Sequence, residues 1–294
     1  MNKVGFIGVG IMGKSMVRNL MKAGFELHIY ARTKSKVEDV ISEGAQFHES
    51  IKDCVQDCDA VITIVGFPQD VEEVYFDEGN ILDSAKEGAY LIDMTTTSPQ
   101  IAEKIYAEGT KRGFNVMDAP VTGGDTGAKA GTLSILVGGE KEDYEACMPL
   151  FEAMGTNINY QGKAGCGQHC KLANQIMIAG TLSGVCEALT YAKEQGLDPE
   201  VFMKSVATGA AGSKQLDTFG PKILKDDYEP GFFMKHFIKD MKLALIEANR
   251  KGLSLDVLSM VLANYEELEQ EGYGDLGTQA LMKFYDEEHR NTEE

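Results

Sequence analysis

Five short apolar runs in the first half of the chain alternate with stretches of helical periodicity. The runs read VGFI, LHIY, AVITIV, AYLIDM and FNVMDA. Their length and their β-branched and aromatic content are typical of buried strands. Between them, residues 11–23 and 98–112 have amphipathic helical periodicity, and each stretch is followed by a glycine. The alternation predicts an α/β fold with a mostly parallel, Rossmann-like sheet and helices on both faces.

The pattern changes after residue 162. Two more strands, TLSILVGG and NINY, with a helix at 141–154 between them, complete the predicted sheet. The segment GKAGCGQ is glycine-rich, and only helical periodicity follows it. The predicted helices cover 168–194, 199–207, 237–251, 256–270 and 275–290, and the last residues are predicted to be a frayed tail. We therefore expect an α/β domain at 1–163 and an all-α domain at 164–294, joined by the long helix.

The acidic composition of the chain limits its partners. Its 294 residues include 46 acidic and 28 basic side chains, for a formal net charge of −18. Such a surface repels a phosphate backbone, so we expect no nucleic-acid partner. No basic and apolar leader opens the chain. The longest apolar stretch carries Asn174, Gln175 and Glu187, which favours a buried helix over a membrane span. We expect a cytoplasmic protein with no membrane partner.

The cysteine pattern indicates neither disulfides nor a metal centre. The six cysteines include no C-x-x-C pair, and a chain of this length does not need disulfide bonds for stability. Cys166, His169 and Cys170 lie close together in sequence, but they leave a tetrahedral ion one ligand short. We predict reduced thiols and no metal site.

A glycine motif with the spacing G-x-G-x-x-G follows the first predicted strand. Its glycines are Gly8, Gly10 and Gly13, and a helix is predicted directly after them. In this context Gly8 permits a tight turn, Gly10 lets a pyrophosphate approach the backbone, and Gly13 allows close helix–strand packing. The open N-terminus of the helix favours the phosphate charge. We expect Gly8, Gly10, Ile11, Met12 and Gly13 to bind a dinucleotide.

The end of the second strand bears on the identity of that dinucleotide. A site for NAD usually has an acidic residue here to accept hydrogen bonds from the ribose hydroxyls. This chain has Ala31, followed by Arg32, Thr33 and Lys34. Basic and hydroxyl groups suit a 2′-phosphate. The turn therefore favours NADP, with NAD as an alternative cofactor; a solvated basic turn that binds nothing is the other interpretation.

Later motifs, taken with the opening segment GFIGVGIMG, resemble those of the β-hydroxyacid dehydrogenases. They read DMTTTSP, DAPVTGGDTGAKAGTLSILVGG, GCGQHCKLANQ and IKDMKLAL. The family contains 3-hydroxyisobutyrate dehydrogenase and tartronate semialdehyde reductases, and the resemblance covers essentially the whole chain. It implies hydride transfer between a nicotinamide cofactor and a short β-hydroxy acid or its aldehyde or keto form. It also implies a homodimer or homotetramer.

The resemblance assigns substrate contacts within residues 118–124. The family motif D-A-P-V-S-G-G appears here with Thr122 in place of serine, followed by Gly123 and Gly124. A hydroxyl beside two glycines offers a side-chain donor and unobstructed backbone N–H groups, which suits a substrate carboxylate.

The family's catalytic lysine matches Lys171, in the pattern G-x-G-x-x-x-K. An ammonium group can stabilise the charge that develops on a carbonyl oxygen and can donate the proton. Asn174 and Gln175 follow at i+3 and i+4, so all three side chains share a helix face. On an apolar helix, these polar groups are costly unless they line a cavity. Without the resemblance, Lys171 could equally be a lysine whose ammonium group reaches the surface.

Three further positions follow from the resemblance. Thr96 matches a residue near the nicotinamide, Pro68 matches the cofactor-side loop after the predicted strand AVITIV, and Lys239 matches a lysine near cofactor and substrate. A purely structural role is the alternative at each position. For the whole chain, one alternative is a non-enzymatic NADP-binding sensor or scaffold. Another is a reductase of the glyoxylate, succinic semialdehyde or imine type, although imine reductases usually lack the lysine.

Overall fold

The computed structural model describes residues 1–285, which form two compact units. The first unit comprises residues 1–171, and the second begins at Leu172. The division falls within one long helix, Cys166–Glu194. Each unit has a hydrophobic core of its own.

The first unit is built on a mixed sheet of nine strands. The strands are β1 (Lys3–Ile7), β2 (Glu26–Tyr30), β3 (Gln46–Phe47), β4 (Ala60–Thr63), β5 (Tyr90–Asp93), β6 (Asn115–Asp118), β7 (Val121–Thr122), β8 (Leu133–Gly139) and β9 (Gly155–Gly162). Their order is β3-β2-β1-β4-β5-β6-β8-β7, with β9 also paired to β8. The first six strands in this order, from β3 at the edge to β6, all pair in parallel. This confirms the predicted mostly parallel sheet.

Helices cover both faces of this sheet. They are α1 (Ile11–Lys22), α2 (Glu38–Ser42), α3 (Ile51–Val55), α4 (Pro68–Phe76), α5 (Ile81–Ser84), α6 (Pro99–Lys111), α7 (Gly124–Ala130), α8 (Lys141–Ala146) and α9 (Met148–Met154). Alternate strand residues enter different cores: Phe6 and Ile62 pack in the cluster that includes α1, while Ile7 packs with residues of α3 and α4. This division follows from the two-residue period of a strand.

Three local features differ from the sequence prediction. The short strands β3 and β7 were not predicted, and β8 runs antiparallel to both β6 and β7. The helix predicted at 141–154 is two helices, α8 and α9, which meet at Cys147. Pro149 lies in the first turn of α9. Because proline has no backbone N–H, it cannot donate the hydrogen bond that a continuous helix needs there.

The second unit consists of helices packed around an apolar core. After α10 (Cys166–Glu194) come α11 (Pro199–Val206), α12 (Lys214–Ile223), α13 (Met234–Arg250) and α14 (Asp256–Gln270). The prediction of an α-helix at 275–290 is wrong for the residues that the structure describes, because Thr278–Tyr285 forms a 3-10 helix. There the Tyr265 hydroxyl donates to the carbonyl O of Thr278, 2.7 Å away. The predicted tail lies outside the described residues.

Helix α10 is long and apolar enough to cross a membrane by length and composition alone, a test that the core helices of soluble proteins also pass. In this structure its residues Ala179, Leu182, Cys186 and Leu189 are buried in the core of the second unit. We therefore interpret α10 as the core helix of a globular unit.

The close approach of β1 and β4 gives a stability prediction for Gly8. Gly8 has a φ of +99°, and a Cβ on it would collide with the carbonyl O of Ile64. Gly24 has a similar φ of +93°, but no heavy atom lies within 4 Å of its Cβ position. We expect Gly24→Ala to lower the free energy of unfolding by about 1–2 kcal/mol through backbone strain alone. Gly8→Ala should cost at least about 2 kcal/mol more, since it adds a backbone clash.

Urea unfolding of the two variants and the parent protein measures this difference. Equal losses of unfolding free energy in both variants would show that the contact with Ile64 is not tight in solution.

Candidate active site

The glycine turn leaves the N-terminus of α1 open. Gly10 precedes the helix with no side-chain cap, and no heavy atom lies within 4 Å of the position that its Cβ would take. A Cβ on Gly13 would collide with the carbonyl O of Gly8. Ile11 is half exposed at the first helical position, and Met12 is partly buried behind it. The open backbone N–H groups fit a pyrophosphate, which prefers such a helix end.

The basic turn after β2 is paired with carboxylates. The Arg32 guanidinium donates to Asp70 Oδ1 at 2.6 Å and to Glu73 Oε2 at 3.0 Å, both on α4. Lys34 Nζ lies 3.6 Å from a carboxylate oxygen of Glu49, and Thr33 is exposed. A 2′-phosphate at this turn would therefore share or displace carboxylate partners of Arg32.

Two loops at the carboxyl ends of β4 and β5 are joined by a hydrogen bond. The backbone N–H of Val65 donates to Thr95 Oγ1 at 3.0 Å. Pro68 occupies the first turn of α4, where its missing N–H costs nothing. Thr96 is partly buried next to Thr95. This contact fixes the loop that contains Thr96 relative to the strand that neighbours β1.

A buried carboxylate holds the first turn of α10. Asp118, the last residue of β6, accepts hydrogen bonds from the backbone N–H groups of Gly165 at 2.7 Å and Gln168 at 2.8 Å. Burial raises the pKa of the Asp118 carboxyl above its usual range, and these two donors oppose that shift. A Cβ on Gly138 of β8 would lie 2.7 Å from the backbone N of Gly167 in α10. The helix start is therefore packed tightly against the sheet.

Gln168 connects this helix start to the Thr96 loop. Its Nε2 donates to the carbonyl O of Thr95 at 2.7 Å, and its Oε1 accepts from the N–H of Thr97 at 3.0 Å. Lys171 follows one turn later and is only 7% exposed. Neither Asp118 nor Gln168 was predicted as a site residue, although Asp118 begins the motif DAPVTGG and Gln168 lies within GCGQHCKLANQ.

The turn after β7 has the backbone that its glycines permit. Thr122 pairs with Ser134 of β8, and Gly123 and Gly124 have φ values of +130° and +65°. A side chain at either glycine would be strained. Asp125 is held by Lys129 at 3.2 Å on α7.

In the second unit, four buried or partly buried polar side chains form a connected series. Asn174 Nδ2 donates to Gln175 Oε1 at 2.8 Å, and Gln175 Nε2 donates to Asp240 Oδ2 at 2.6 Å. Lys239 Nζ lies 3.0 Å from Asp240 Oδ1. Asn174 and Gln175 belong to α10, the helix that also contains Lys171, while Lys239 and Asp240 belong to α13.

The cysteines show no metal-binding arrangement in the part of the chain that is described. All six are free thiols. Within residues 1–285, no group of three or more His, Cys, Asp or Glu side chains is arranged to hold a metal ion.

Comparison with known proteins identifies the family. A profile described as the NAD binding domain of 6-phosphogluconate dehydrogenase matches residues 3–162. A second, described as the NAD-binding region of NADP-dependent 3-hydroxyisobutyrate dehydrogenase, matches residues 165–285. The chain belongs to the β-hydroxyacid dehydrogenase family. The predicted class, a nicotinamide-dependent hydroxyacid dehydrogenase or reductase, is confirmed.

Individual relatives of this dehydrogenase cover nearly its whole length. The uncharacterized oxidoreductase YkwC of Bacillus subtilis (strain 168) is 50% identical over 96% of this chain and 98% of its own. A probable mitochondrial 3-hydroxyisobutyrate dehydrogenase-like protein of Arabidopsis thaliana is 44% identical over 95% of this chain and 84% of its own. The solved 3-hydroxyisobutyrate dehydrogenase of Mycobacterium tuberculosis with L-serine is 26% identical, covers 96% and 98% of the two chains and superposes with a TM-score of 0.88.

Next to Asp118 in the dehydrogenase sheet lies a second buried carboxylate, Asp93. Thr63, Asp93 and Asp118 occupy matching registers at the ends of β4, β5 and β6. Asp93 Oδ1 accepts from the Thr63 hydroxyl at 2.8 Å and from the Thr95 N–H at 3.1 Å. Burial, with a smaller contribution from the charge of Asp118, raises the pKa of Asp93 to about 6.

This raised pKa predicts a stability that depends on pH. The unfolded chain loses the Asp93 proton near pH 3.8, whereas the folded chain keeps it up to about pH 6. The contribution of Asp93 is therefore fully present below pH 3.8 and is lost as the pH rises to about 6. We expect the unfolding free energy of the parent protein, relative to Asp93→Asn, to fall by up to about 3 kcal/mol across this range.

Asp59→Asn supplies the opposite control. Backbone N–H donation from Asn2, followed by a hydrogen bond from Lys86, lowers the pKa of Asp59 to about 2. For that carboxyl, stability relative to the variant is present above its unfolded pKa of 3.8 and is lost as the pH falls toward 2. Urea unfolding between pH 3.5 and 7 measures the Asp93 difference, and extension of the series to pH 2 measures the Asp59 difference. If the Asp93 difference were flat over that range, its pKa in the folded protein would be ordinary.

Proposed function

We propose that this protein is an NADP-preferring dehydrogenase or reductase of short 3-hydroxy acids, with Lys171 as its general acid and base. The observation that carries the proposal is the position of Lys171. It is buried one turn after the helix start that Asp118 and Gln168 fix to the strand ends. The glycine turn that fits a pyrophosphate follows β1 at the same edge of the sheet.

The proposed roles follow from the chemistry of the side chains. A bound nicotinamide would supply the hydride in reduction and accept it in oxidation. In reduction, the Lys171 ammonium stabilises the charge that develops on the carbonyl oxygen and gives that oxygen a proton. In oxidation, the neutral Lys171 amine takes the hydroxyl proton. Gly8, Gly10, Ile11, Met12 and Gly13 form the proposed pyrophosphate contact, and Pro68, Thr96 and Lys239 are the other proposed cofactor contacts.

The substrate carboxylate is assigned to the turn after β7. Thr122 offers a hydroxyl, and Gly123 and Gly124 offer backbone N–H groups without side chains in the way. Asn174 and Gln175, on the same helix as Lys171, are the proposed amide contacts. The relatives support a 3-hydroxy acid as substrate. Two of them have 3-hydroxyisobutyrate in their names, and one solved structure contains L-serine, which is also a 3-hydroxy acid.

Cofactor preference, assembly and location complete the proposal. Arg32, Thr33 and Lys34 favour the 2′-phosphate of NADP, and one matching family profile describes an NADP-dependent enzyme. NAD remains the alternative cofactor. We propose a homodimer or homotetramer, as the family resemblance implies, and a location in the cytoplasm.

A panel assay tests the activity itself. NADPH consumption is followed with tartronate semialdehyde, succinic semialdehyde and glyoxylate, and NADP⁺ reduction with 3-hydroxyisobutyrate and L-serine. We expect turnover of 3-hydroxyisobutyrate, of L-serine or of tartronate semialdehyde, whose reduction also gives a 3-hydroxy acid. NADPH binding without any turnover would instead support a cofactor-binding sensor.

Replacement of Lys171 tests its role. We expect Lys171→Ala to lower kcat by roughly 10²–10⁴-fold, because proton transfer loses its positioned group. NADPH affinity, measured by quenching or enhancement of cofactor fluorescence, should stay within about threefold of the parent value, which is under 1 kcal/mol. Lys163→Ala, which removes an exposed lysine shortly before the same helix, is the matched control. Parent-like turnover by Lys171→Ala would refute the assignment.

A pair of α4 variants tests the 2′-phosphate site. Glu73 is paired with Arg32 at 3.0 Å, and the adjacent Glu72 is paired with Lys104 at the same distance. Glu73→Gln releases one partner of the guanidinium, so we expect NADP⁺ to bind roughly threefold more tightly, in the range of an exposed ion pair. Binding of NAD⁺ should not change.

Glu72→Gln removes the same charge from the same helix without touching Arg32. Calorimetric titration of both variants with both cofactors gives the comparison. An equal gain in NADP⁺ affinity in the two variants would show that only net charge matters and that Arg32 is not the contact.

A further inference from the structure

We propose that Gln168 is a positioning residue that sets the distance between the Thr96 loop and Lys171. The inference rests on the proposed function, in which Thr96 contacts the cofactor and Lys171 transfers the proton. All the contacts that support it lie within the first unit.

The side chain of Gln168 holds the backbone on both sides of Thr96. It donates to the carbonyl O of Thr95 and accepts from the N–H of Thr97. Gln168 is fully buried, so water cannot replace either bond without opening the structure. The amide thus acts on Thr96 as a neighbouring strand would, and it fixes the backbone of that loop at two points.

The backbone of the same residue is held separately. Its N–H donates to Asp118 Oδ2 at 2.8 Å, while Gly165 donates to the other carboxylate oxygen at 2.7 Å. A Cβ on Gly167 would lie 2.8 Å from Asp118 Oδ2, so only a glycine at this position allows the helix to approach the sheet so closely. The first turn of α10 is therefore fixed through its backbone by β6 and through its side chain by the loop after β5.

Lys171 inherits this placement because it lies three residues after Gln168 on a continuous helix. Residues three apart lie on neighbouring positions of one helix face. A rotation or shift of the first turn would move Lys171 together with Gln168. A displacement of this kind costs rate rather than binding, since proton and hydride transfer both depend on exact distances.

Two variants separate the hydrogen bonds from the volume of the side chain. Gln168→Met keeps the length but removes both bonds. Gln168→Glu keeps the acceptor for Thr97 N–H but, when ionised, faces the carbonyl O of Thr95 with a second acceptor. His169→Gln is the matched control, because His169 is the next residue of α10 and is exposed.

Hydrogen exchange of the protein without cofactor gives a readout that is independent of activity. We expect the Thr97 amide to exchange at least tenfold faster in Gln168→Met than in the parent protein or in His169→Gln. Unchanged protection of Thr97 in Gln168→Met would overturn the inference, because the side chain would not then be what holds the loop.

Kinetics with 3-hydroxyisobutyrate and NADP⁺ test the consequence for Lys171. In Gln168→Met we expect kcat to fall by roughly 10- to 100-fold, with KM for the acid and Kd for NADP⁺ little changed. In Gln168→Glu, kcat relative to that of the parent protein at the same pH should rise as the pH is lowered, because the carboxyl regains a proton to donate to Thr95 O. A parent-like kcat in Gln168→Met, or a loss explained entirely by a smaller folded fraction in thermal unfolding, would overturn the inference.

Lys171→Ala, assayed beside these variants, distinguishes the two proposals. Activity in Lys171→Ala would overturn the proposed function, whatever Gln168 does. An inactive Lys171→Ala together with a fully active Gln168→Met would leave the proposed function standing and refute the positioning role alone. If 3-hydroxyisobutyrate is not turned over, the same comparison is made with the most active compound of the panel.

Discussion

The placement of Lys171 depends on the contact between a buried carboxylate and the first turn of a helix. A buried carboxylate is costly unless donors surround it, and the first N–H groups of a helix are costly unless acceptors meet them. Asp118 and the start of α10 satisfy both needs with two short hydrogen bonds. Because neither group has a cheaper alternative in the folded protein, the helix start is fixed to β6. The rigidity of the helix then extends this constraint to Lys171.

The parallel sheet explains why motifs far apart in sequence meet at this place. Gly8 follows β1, Val65 follows β4, Thr95 follows β5, and Asp118 ends β6. The carboxyl ends of parallel strands share one edge of the sheet, where ligands of this fold class bind. In the sequence, nothing indicates that these motifs interact with one another. In the structure, hydrogen bonds lead from Val65 through Thr95 to Gln168. Hydrogen bonds between the loops at this edge of the sheet therefore fix the positions of the loops relative to one another.

The sequence predicted those parts of the structure that leave a local pattern. The predictions of the main strands, of the glycine turn and of most of α10 were correct, because periodicity and glycine spacing are local signals. The break at Cys147 was missed, although Pro149 was a visible signal. The partners of Asp118 and Gln168 could not be predicted, since they lie 47 to 73 residues away and are backbone groups that any residue supplies. Likewise, the basic turn at Arg32 gave no sign of its pairing with carboxylates 38 and 41 residues on.

The polar series in the second unit is not explained by stability alone. Asp240 is 1% exposed and pairs with Lys239. Apolar residues of similar volume in place of a buried ion pair often give the same or a greater stability. The series does, however, orient an amide. Gln175 donates to Asp240, which directs its Oε1 toward the N–H₂ group of Asn174. A shorter asparagine at 175 would reach Asp240 only if the helix backbone moved. The extra methylene of Gln175 thus lets one buried carboxylate fix the orientation of Asn174, the residue that we propose as a substrate contact.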